Sequence, residues 1–169
     1  MTFPQELLKG IWHTTSIERF NKILEVGYIL AEPDISDKER WELVQDQRII
    51  PMLGNWGGIS LFDFRNFSEE EYSDKYFSSS WSYFVPFIRK WGASIWIEID
   101  YESLGSNFIA ASCLAGQWEH EKAWKHTIMP YIEGASMIPI ATSLFKRVMI
   151  STSKNKDLKI YDFKLTTPL

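Results

Sequence analysis

The sequence predicts one α+β domain that spans residues 1–169. A chain of this length can bury one substantial core. Apolar side chains recur with helical spacing after Ser16, and they alternate with other side chains across residues 93–100. The strand-like stretches are separated irregularly, with neither regular βαβ units nor a glycine-rich dinucleotide fingerprint. The pattern therefore favours an α+β fold.

The clearest helix lies near the N-terminus, between two predicted strands. Residues 10–13 have the character of a short apolar strand, and a second strand leaves from Tyr28. Between them, Ser16 is a good N-cap, Glu18 suits the first turn, and Gly27 ends the helical pattern. The spacing predicts an amphipathic helix whose apolar side packs on the core.

The middle of the chain is predicted to hold a surface helix, a loop and one buried strand. Residues 36–48 are charged and predict the surface helix, and residues 51–58 form a glycine-rich loop. Residues 58–62 have the pattern of a short buried strand. Residues 65–78 are polar and acidic, and they predict an exposed excursion of unknown role.

The second half is predicted to supply most of the sheet. The serines at 78–80 suit the cap of an aromatic helix that Pro86 disturbs or ends. Residues 93–100 alternate most cleanly and predict a strand. Further strands are predicted at 108–113, 145–151 and 158–165.

Composition argues against several classes of protein. A formal net charge of -4 and a pI near 5.4 disfavour a dedicated nucleic-acid binder. The single cysteine makes the cytoplasm the default compartment. The N-terminus has no signal-peptide pattern, and no apolar run is long enough for a membrane span.

Metal and nucleophile motifs are also missing. The three histidines are not spaced as metal ligands, and no CxxC pair occurs, so no metal site is predicted. The sequence has no GxSxG motif. Cys113 lies in an apolar context, which predicts an inert buried thiol.

His13, Thr14 and Thr15 stand where the first strand passes into the first helix. Backbone donors and polar side chains converge at such a place, and ligands are often held there. The alternative interpretation is structural: His13 bonds to nearby backbone, and the hydroxyl residues cap the helix. Both interpretations stay open on the residues alone.

With this pattern the chain resembles the ADP-ribosyltransferase-like superfamily, whose members hold NAD in a cleft between two small sheets. The matching residues are His13-Thr14-Thr15, Gly58-Ile59-Ser60-Leu61 and Ser80-Trp81-Ser82-Tyr83. The resemblance implies split β-sheets and NAD as a substrate. It also implies that the ribose and nicotinamide contact His13, Thr14, Thr15, Ser60 and Ser80, with Tyr83 stacked on nicotinamide.

The chain is also similar to a widespread bacterial domain of unknown function with a late W-x-x-E-x-E-W-R motif. The corresponding stretch is residues 118–125, WEHEKAWK, in which Glu121 matches the first glutamate and Ala123 replaces the second. A transferase needs a carboxylate beside the ribosyl centre as nicotinamide leaves. Glu133 and Glu121 are equal candidates, and Glu121 shares a face with position 123 if this stretch is a strand.

Three functions remain open at this point. The first is an ADP-ribosyltransferase that acts on a protein or nucleic-acid acceptor, or on water. The second is a catalytically degenerate interaction or immunity module of bacterial or phage origin, inactive because of Ala123. The third is an RNA-end-processing relative, which needs basic residues such as Arg19 and Lys22 around the cleft.

Overall fold

The structure is a computed structural model that describes residues 3–32, 50–75, 92–152 and 157–162. Antiparallel strands and short helices mix within these ranges, which confirms the α+β class. The helices predicted at 36–48 and after residues 78–80 lie outside the described residues. None of the described helices combines the length and apolarity that crossing a bilayer requires.

The described elements follow the chain in a simple order. The helices are α1 (Ile17–Val26), α2 (Met52–Trp56), α3 (Glu69–Lys75) and α4 (Ala111–His120). The strands are β1 (Ile11–Thr15), β2 (Tyr28–Ile29), β3 (Ile50–Pro51), β4 (Ile59–Asp63), β5 (Ala93–Ile99), β6 (Phe108–Ile109), β7 (His126–Thr127), β8 (Glu133–Ser136), β9 (Ile140–Ala141), β10 (Phe145–Thr152) and β11 (Lys159–Ile160).

The caps of α1 confirm the predicted first helix. The Ser16 hydroxyl accepts a hydrogen bond from the Arg19 amide at 3.2 Å, which satisfies one free amide of the first turn. Gly27 ends the helix with φ +83°, a left-handed conformation that glycine adopts at little cost. The strands predicted at 58–62, 93–100 and 145–151 are likewise confirmed as β4, β5 and β10.

Two predictions about the later chain are wrong. The strand predicted at 108–113 ends at Ile109, and α4 begins at Ala111. The stretch around Glu121 is the end of that helix, so Glu121 does not share a strand face with Ala123. β6 has only two residues, too few to show a period, and the buried positions of α4 are mostly alanine, which mark an apolar helix face weakly.

The acidic stretch after Arg65 is not wholly an exposed excursion. It contains α3, whose Tyr72 is buried in the core while Glu70 and Glu71 face solvent. The single aromatic residue anchors an otherwise polar helix to the sheet. Of the closing strand predicted at 158–165, only Lys159–Ile160 form a strand within the described residues 157–162, and residues 163–165 lie outside them.

Seven of the described strands form one antiparallel sheet in the order β11-β10-β5-β1-β4-β8-β6. One face carries an aromatic core that includes Trp12, Phe62 and Trp96. The other face carries an aliphatic core on which α1 packs through Phe20. Both faces are covered, which explains why β5 is buried along nearly its whole length.

The sheet separates into two halves at the junction of β1 and β4. These strands pair over only two positions, Ile11 with Asp63 and Trp12 with Phe62. From His13 onward β1 pairs only with β5, and residues 59–61 of β4 pair only with β8. One half is therefore β11-β10-β5-β1 and the other β4-β8-β6, and the two-residue pairing of β1 with β4 joins them in one continuous sheet.

A buried ion pair fixes α4 to β4. Asp63 accepts hydrogen bonds from Arg65 Nε at 2.9 Å, Arg65 Nη2 at 2.8 Å and the Ala111 amide at 3.1 Å. The Arg65 guanidinium lies over the rings of Tyr101 and Phe108. Burial alone favours the protonated carboxyl, but the hydrogen bonds from Arg65 and Ala111 outweigh it and lower the pKa of Asp63. The side chain of Ala110, the N-cap residue of α4, provides no hydrogen bond. Asp63, which is remote in sequence, caps the helix instead through its bond to the Ala111 amide.

Replacing Asp63 with Asn is expected to destabilise the fold by about 2 kcal/mol, because Arg65 loses its bidentate partner and α4 its charged cap. Arg65 is partly exposed, which keeps the loss below that of a fully buried pair. Urea unfolding at pH 7 measures the change, with Asp162→Asn at an exposed position as the control. Equal stability of the two variants would contradict this role.

Candidate functional site

His13 occupies the position where the two halves of the sheet separate. Its Nδ1 atom lies 3.2 Å from the Ser60 carbonyl oxygen of β4. A carbonyl oxygen only accepts hydrogen bonds, so Nδ1 carries the proton and donates it to this bond. The imidazole thus replaces the main-chain pairing that ends one residue earlier, at Trp12.

The surroundings of His13 keep the ring neutral. Burial lowers its pKa to about 4; the bond to the Ser60 carbonyl opposes this shift, and the Arg19 guanidinium adds to it. His13 is half-buried, and protein groups surround its ring closely. With the proton on Nδ1, the neutral ring leaves Nε2 as a hydrogen-bond acceptor at pH 7.

Thr14 and Thr15 play different roles from each other. The Thr14 hydroxyl donates to the Ile95 carbonyl on β5 at 3.1 Å, which leaves its oxygen able to accept a further bond. Thr15 is buried and is the last residue of β1. The predicted cap of α1 is Ser16 rather than either threonine.

Ser60 connects the histidine to a glutamate. Its main-chain carbonyl holds His13, and its hydroxyl donates to Glu133 Oε1 at 2.6 Å. Ser60 pairs with Ala135 and Phe62 with Glu133, so the Ser60 and Glu133 side chains share one face of the sheet. Trp12 pairs with Phe62, so the Trp12 side chain lies on this face. Side chains alternate along a strand, and the Thr14 side chain, two residues after Trp12, therefore lies on this face as well.

Glu133 is a buried carboxylate with donors on both oxygens. Its Oε2 accepts a 3.1 Å hydrogen bond from the Met129 amide, and Ser60 bonds its Oε1. Only 6% of Glu133 is exposed. Burial raises its pKa to about 6, and the hydrogen bonds from Ser60 and Met129 oppose the rise. The group is therefore mostly ionised at pH 7, in a setting poor in water.

The structure separates the two glutamates that the sequence left equal. Glu121 is the exposed C-cap residue of α4, and its carboxylate accepts a bond from Gln117 at 2.8 Å. Glu133 alone of the two is bonded to Ser60. The geometry places the Thr14, Ser60 and Glu133 side chains on one face of the sheet, and the His13 side chain, which leaves β1 on the opposite face, reaches the Ser60 carbonyl. Glu121 is not placed with them.

The remaining predictions concern Ser80, Tyr83, a metal site and Cys113. Ser80 and Tyr83, expected to contact nicotinamide, lie outside the described residues. The described residues include no group of three or more His, Cys, Asp or Glu side chains arranged to bind a metal ion. Cys113 is exposed on α4 rather than buried, so that prediction is wrong.

Sequence reasoning missed the donor that completes the carboxylate site. Met129 contributes its main-chain amide, and any residue except proline has that group. No side-chain pattern signals such a contact. The proximity of Asp63 to the amide of Ala111 was missed for the same reason.

Comparisons with known proteins add little to this geometry. No family model matches the chain, and no curated protein does. Among solved structures, protein CC0527 from Caulobacter crescentus superposes with a TM-score of 0.42 at 10% sequence identity, covering 88% of this chain and 92% of that one. A similarity of this size supports no conclusion about ligand or activity.

Proposed function

We propose that the chain binds NAD where the two halves of the sheet separate and transfers its ADP-ribose to a macromolecular acceptor or to water. The observation that carries the proposal is the double role of Ser60. One residue holds the imidazole of His13 through its carbonyl and the carboxylate of Glu133 through its hydroxyl. A neutral acceptor on one face of the sheet and a buried anion on the other are thereby both fixed by Ser60.

The hydrogen-bond acceptors of the His13 and Thr14 side chains suit a hydroxyl-rich ligand. Nε2 of His13 accepts but does not donate, so its ligand partner has to be an O–H or N–H group. The Thr14 oxygen also retains capacity to accept. The ribose hydroxyls and carboxamide of NAD supply such donors, in agreement with the superfamily resemblance.

Glu133 supplies the negative charge that the reaction needs. The bond between ribose C1′ and the nicotinamide nitrogen breaks, and its electron pair leaves with nicotinamide. The positive ribosyl centre is stabilised by the Glu133 carboxylate until a lone pair of the acceptor bonds to C1′. The acceptor then releases its proton to solvent, so charge and atoms balance. A fixed carboxylate in a site that excludes water stabilises this positive charge more strongly than a carboxylate in water does.

Calorimetry with NAD and chromatographic detection of released nicotinamide test the proposal. We expect binding and slow nicotinamide release by the wild-type protein, with ADP-ribose as the product when water is the acceptor. A parallel incubation with a bacterial lysate and labelled NAD reports transfer to a macromolecule. Folded protein that neither binds NAD nor releases nicotinamide under either condition contradicts the proposal.

One observation favours the second function, a non-enzymatic module on the same fold. Both oxygens of Glu133 already have protein partners and the residue is 6% exposed, as expected of a structural carboxylate. This module would show no heat of NAD binding. It would also tolerate a change at His13 that preserves the bond to Ser60.

A further inference from the structure

The segment that leads into Glu133 is an unusually closed turn, residues 129–133. The Met129 carbonyl accepts bonds from the amides of Ile132 at 3.1 Å and Glu133 at 2.8 Å. The Met129 amide donates to Glu133 Oε2 at 3.1 Å. Met129 therefore binds both the main chain and the carboxylate of Glu133, and the turn closes on itself.

The 129–133 turn contains a strained residue. Tyr131 has φ +55°, a left-handed conformation that is unfavourable for a residue with a side chain. Asn, Asp and Gly are the usual occupants of this region, and tyrosine is not. A conformation of this kind persists only where its surroundings determine it.

Contacts from two neighbouring elements surround the turn. The Lys75 ammonium, at the end of α3, lies 3.7 Å from the centre of the Tyr131 ring, a cation–π distance. Tyr72 of the same helix is buried in the core, so α3 gives Lys75 a firm base. On the other side, the Ile132 carbonyl accepts a 2.7 Å bond from the Asp63 amide of β4.

We propose that Lys75 and Tyr131 are positioning residues: their contact holds the 129–133 turn closed and so fixes the Met129 amide against the Glu133 carboxylate. Neither residue needs to touch the substrate for this role. The inference deepens the proposed function and rests on it for the catalytic consequence. The geometric part concerns Glu133 alone and is tested separately.

Two pairs of variants test the contact. Lys75→Met keeps the aliphatic stem but removes the cation, and Lys75→Arg retains it. Tyr131→Ala removes the ring, and Tyr131→Phe retains the ring and requires the same left-handed φ. Lys159→Met on exposed β11 controls for the loss of one positive charge. Circular dichroism and thermal unfolding confirm that each variant is folded.

The first measurement is the titration of the Glu133 carboxyl carbon by NMR, assigned by its absence in Glu133→Gln. The Met129 bond favours the ionised form, so its loss raises the titration midpoint. We expect a rise of about half a pH unit in Lys75→Met and Tyr131→Ala, the size that the loss of one exposed cation–π contact supports. Lys75→Arg, Tyr131→Phe and Lys159→Met are expected to keep the wild-type midpoint.

The second measurement is nicotinamide release. A displaced carboxylate lowers kcat about 10-fold or more but leaves the KM for NAD within about twofold, because ligand contacts are intact. An unchanged midpoint and unchanged kcat in folded Lys75→Met and Tyr131→Ala overturn the positioning role. In a protein without turnover, which contradicts the proposed function, the titration alone decides: a raised midpoint supports the role and an unchanged one overturns it.

Discussion

Replacing Glu133 with Gln is expected to lower nicotinamide release by about 100-fold or more, the cost of removing one fixed electrostatic contact to a transition state. The amide fits the same space: its oxygen accepts from the Met129 amide, and its NH2 group donates to the Ser60 hydroxyl. NAD affinity is expected to change little, because the charge acts mainly as nicotinamide departs. Nicotinamide release at saturating NAD measures the effect.

The same substitution is expected to stabilise the folded protein. The pKa of Glu133 rises from 4.5 to about 6 on folding, so the folded state binds its proton more tightly than the unfolded state. The stability from this group is present below pH 4.5 and is lost as pH rises through 6. Glu133→Gln should therefore match the wild type near pH 4 and exceed it by about 2 kcal/mol at pH 7.5.

Glu121→Gln is the matched control, since it makes the same chemical change at an exposed helix end. It is expected to change neither turnover nor the pH dependence of unfolding. Stability gained without turnover lost, in Glu133→Gln, identifies a purely structural carboxylate. Turnover lost in Glu121→Gln instead contradicts the assignment of Glu133.

Local periodicity predicted the parts of the fold in which one pattern persists over many residues. β5 alternates over seven residues, and α1 lies between its expected caps, Ser16 and Gly27. The two-residue strands β6 and β7 have no comparable signal, because their bounds depend on partners far along the chain. The separation of β1 from β4 after two paired positions also depends on long-range pairing, which no local pattern indicates.

The candidate site shows the same limit in chemical terms. His13 and Ser60 were predicted as site residues because side chains carry the resemblance, and the choice between Glu133 and Glu121 stayed open because it depends on tertiary position. Once α4 is known to end at His120, Glu121 belongs to an exposed helix end. The Met129 amide and the φ of Tyr131 are main-chain properties, which residue types do not encode.

Replacing His13 with Asn is expected to weaken NAD binding by about 10- to 100-fold while leaving the fold intact, the cost of one lost acceptor opposite a ligand hydroxyl. The Asn side-chain amide can occupy the position of Nδ1 and keep the bond to the Ser60 carbonyl. It has no atom at the position of Nε2. Calorimetry with NAD at pH 7.5 measures the loss.

His13→Gln is the reciprocal control, because its amide reaches the position of Nε2 but gives up the bond to Ser60. It is expected to retain more NAD affinity than His13→Asn and to be less stable. Equal affinity of wild type and His13→Asn would show that Nε2 contacts no ligand, in favour of the non-enzymatic module.

Acid unfolding separates the structural part of His13 from its ligand contact. The pKa of His13 falls from 6.5 to about 4 on folding, so the unfolded state binds the extra proton between these values. The stability from the neutral ring is fully present above pH 6.5 and is lost as pH falls toward 4. The free energy of unfolding of the wild type should therefore fall by about 3 kcal/mol over this range relative to His13→Asn, which has no proton to bind.

Glu133 contributes the opposite pH dependence between pH 4.5 and 6. Urea unfolding of His13→Asn in the Glu133→Gln background therefore isolates the contribution of the histidine. Parallel curves for Glu133→Gln with and without the histidine change would mean that His13 is not the neutral, Ser60-bonded ring on which the NAD proposal depends.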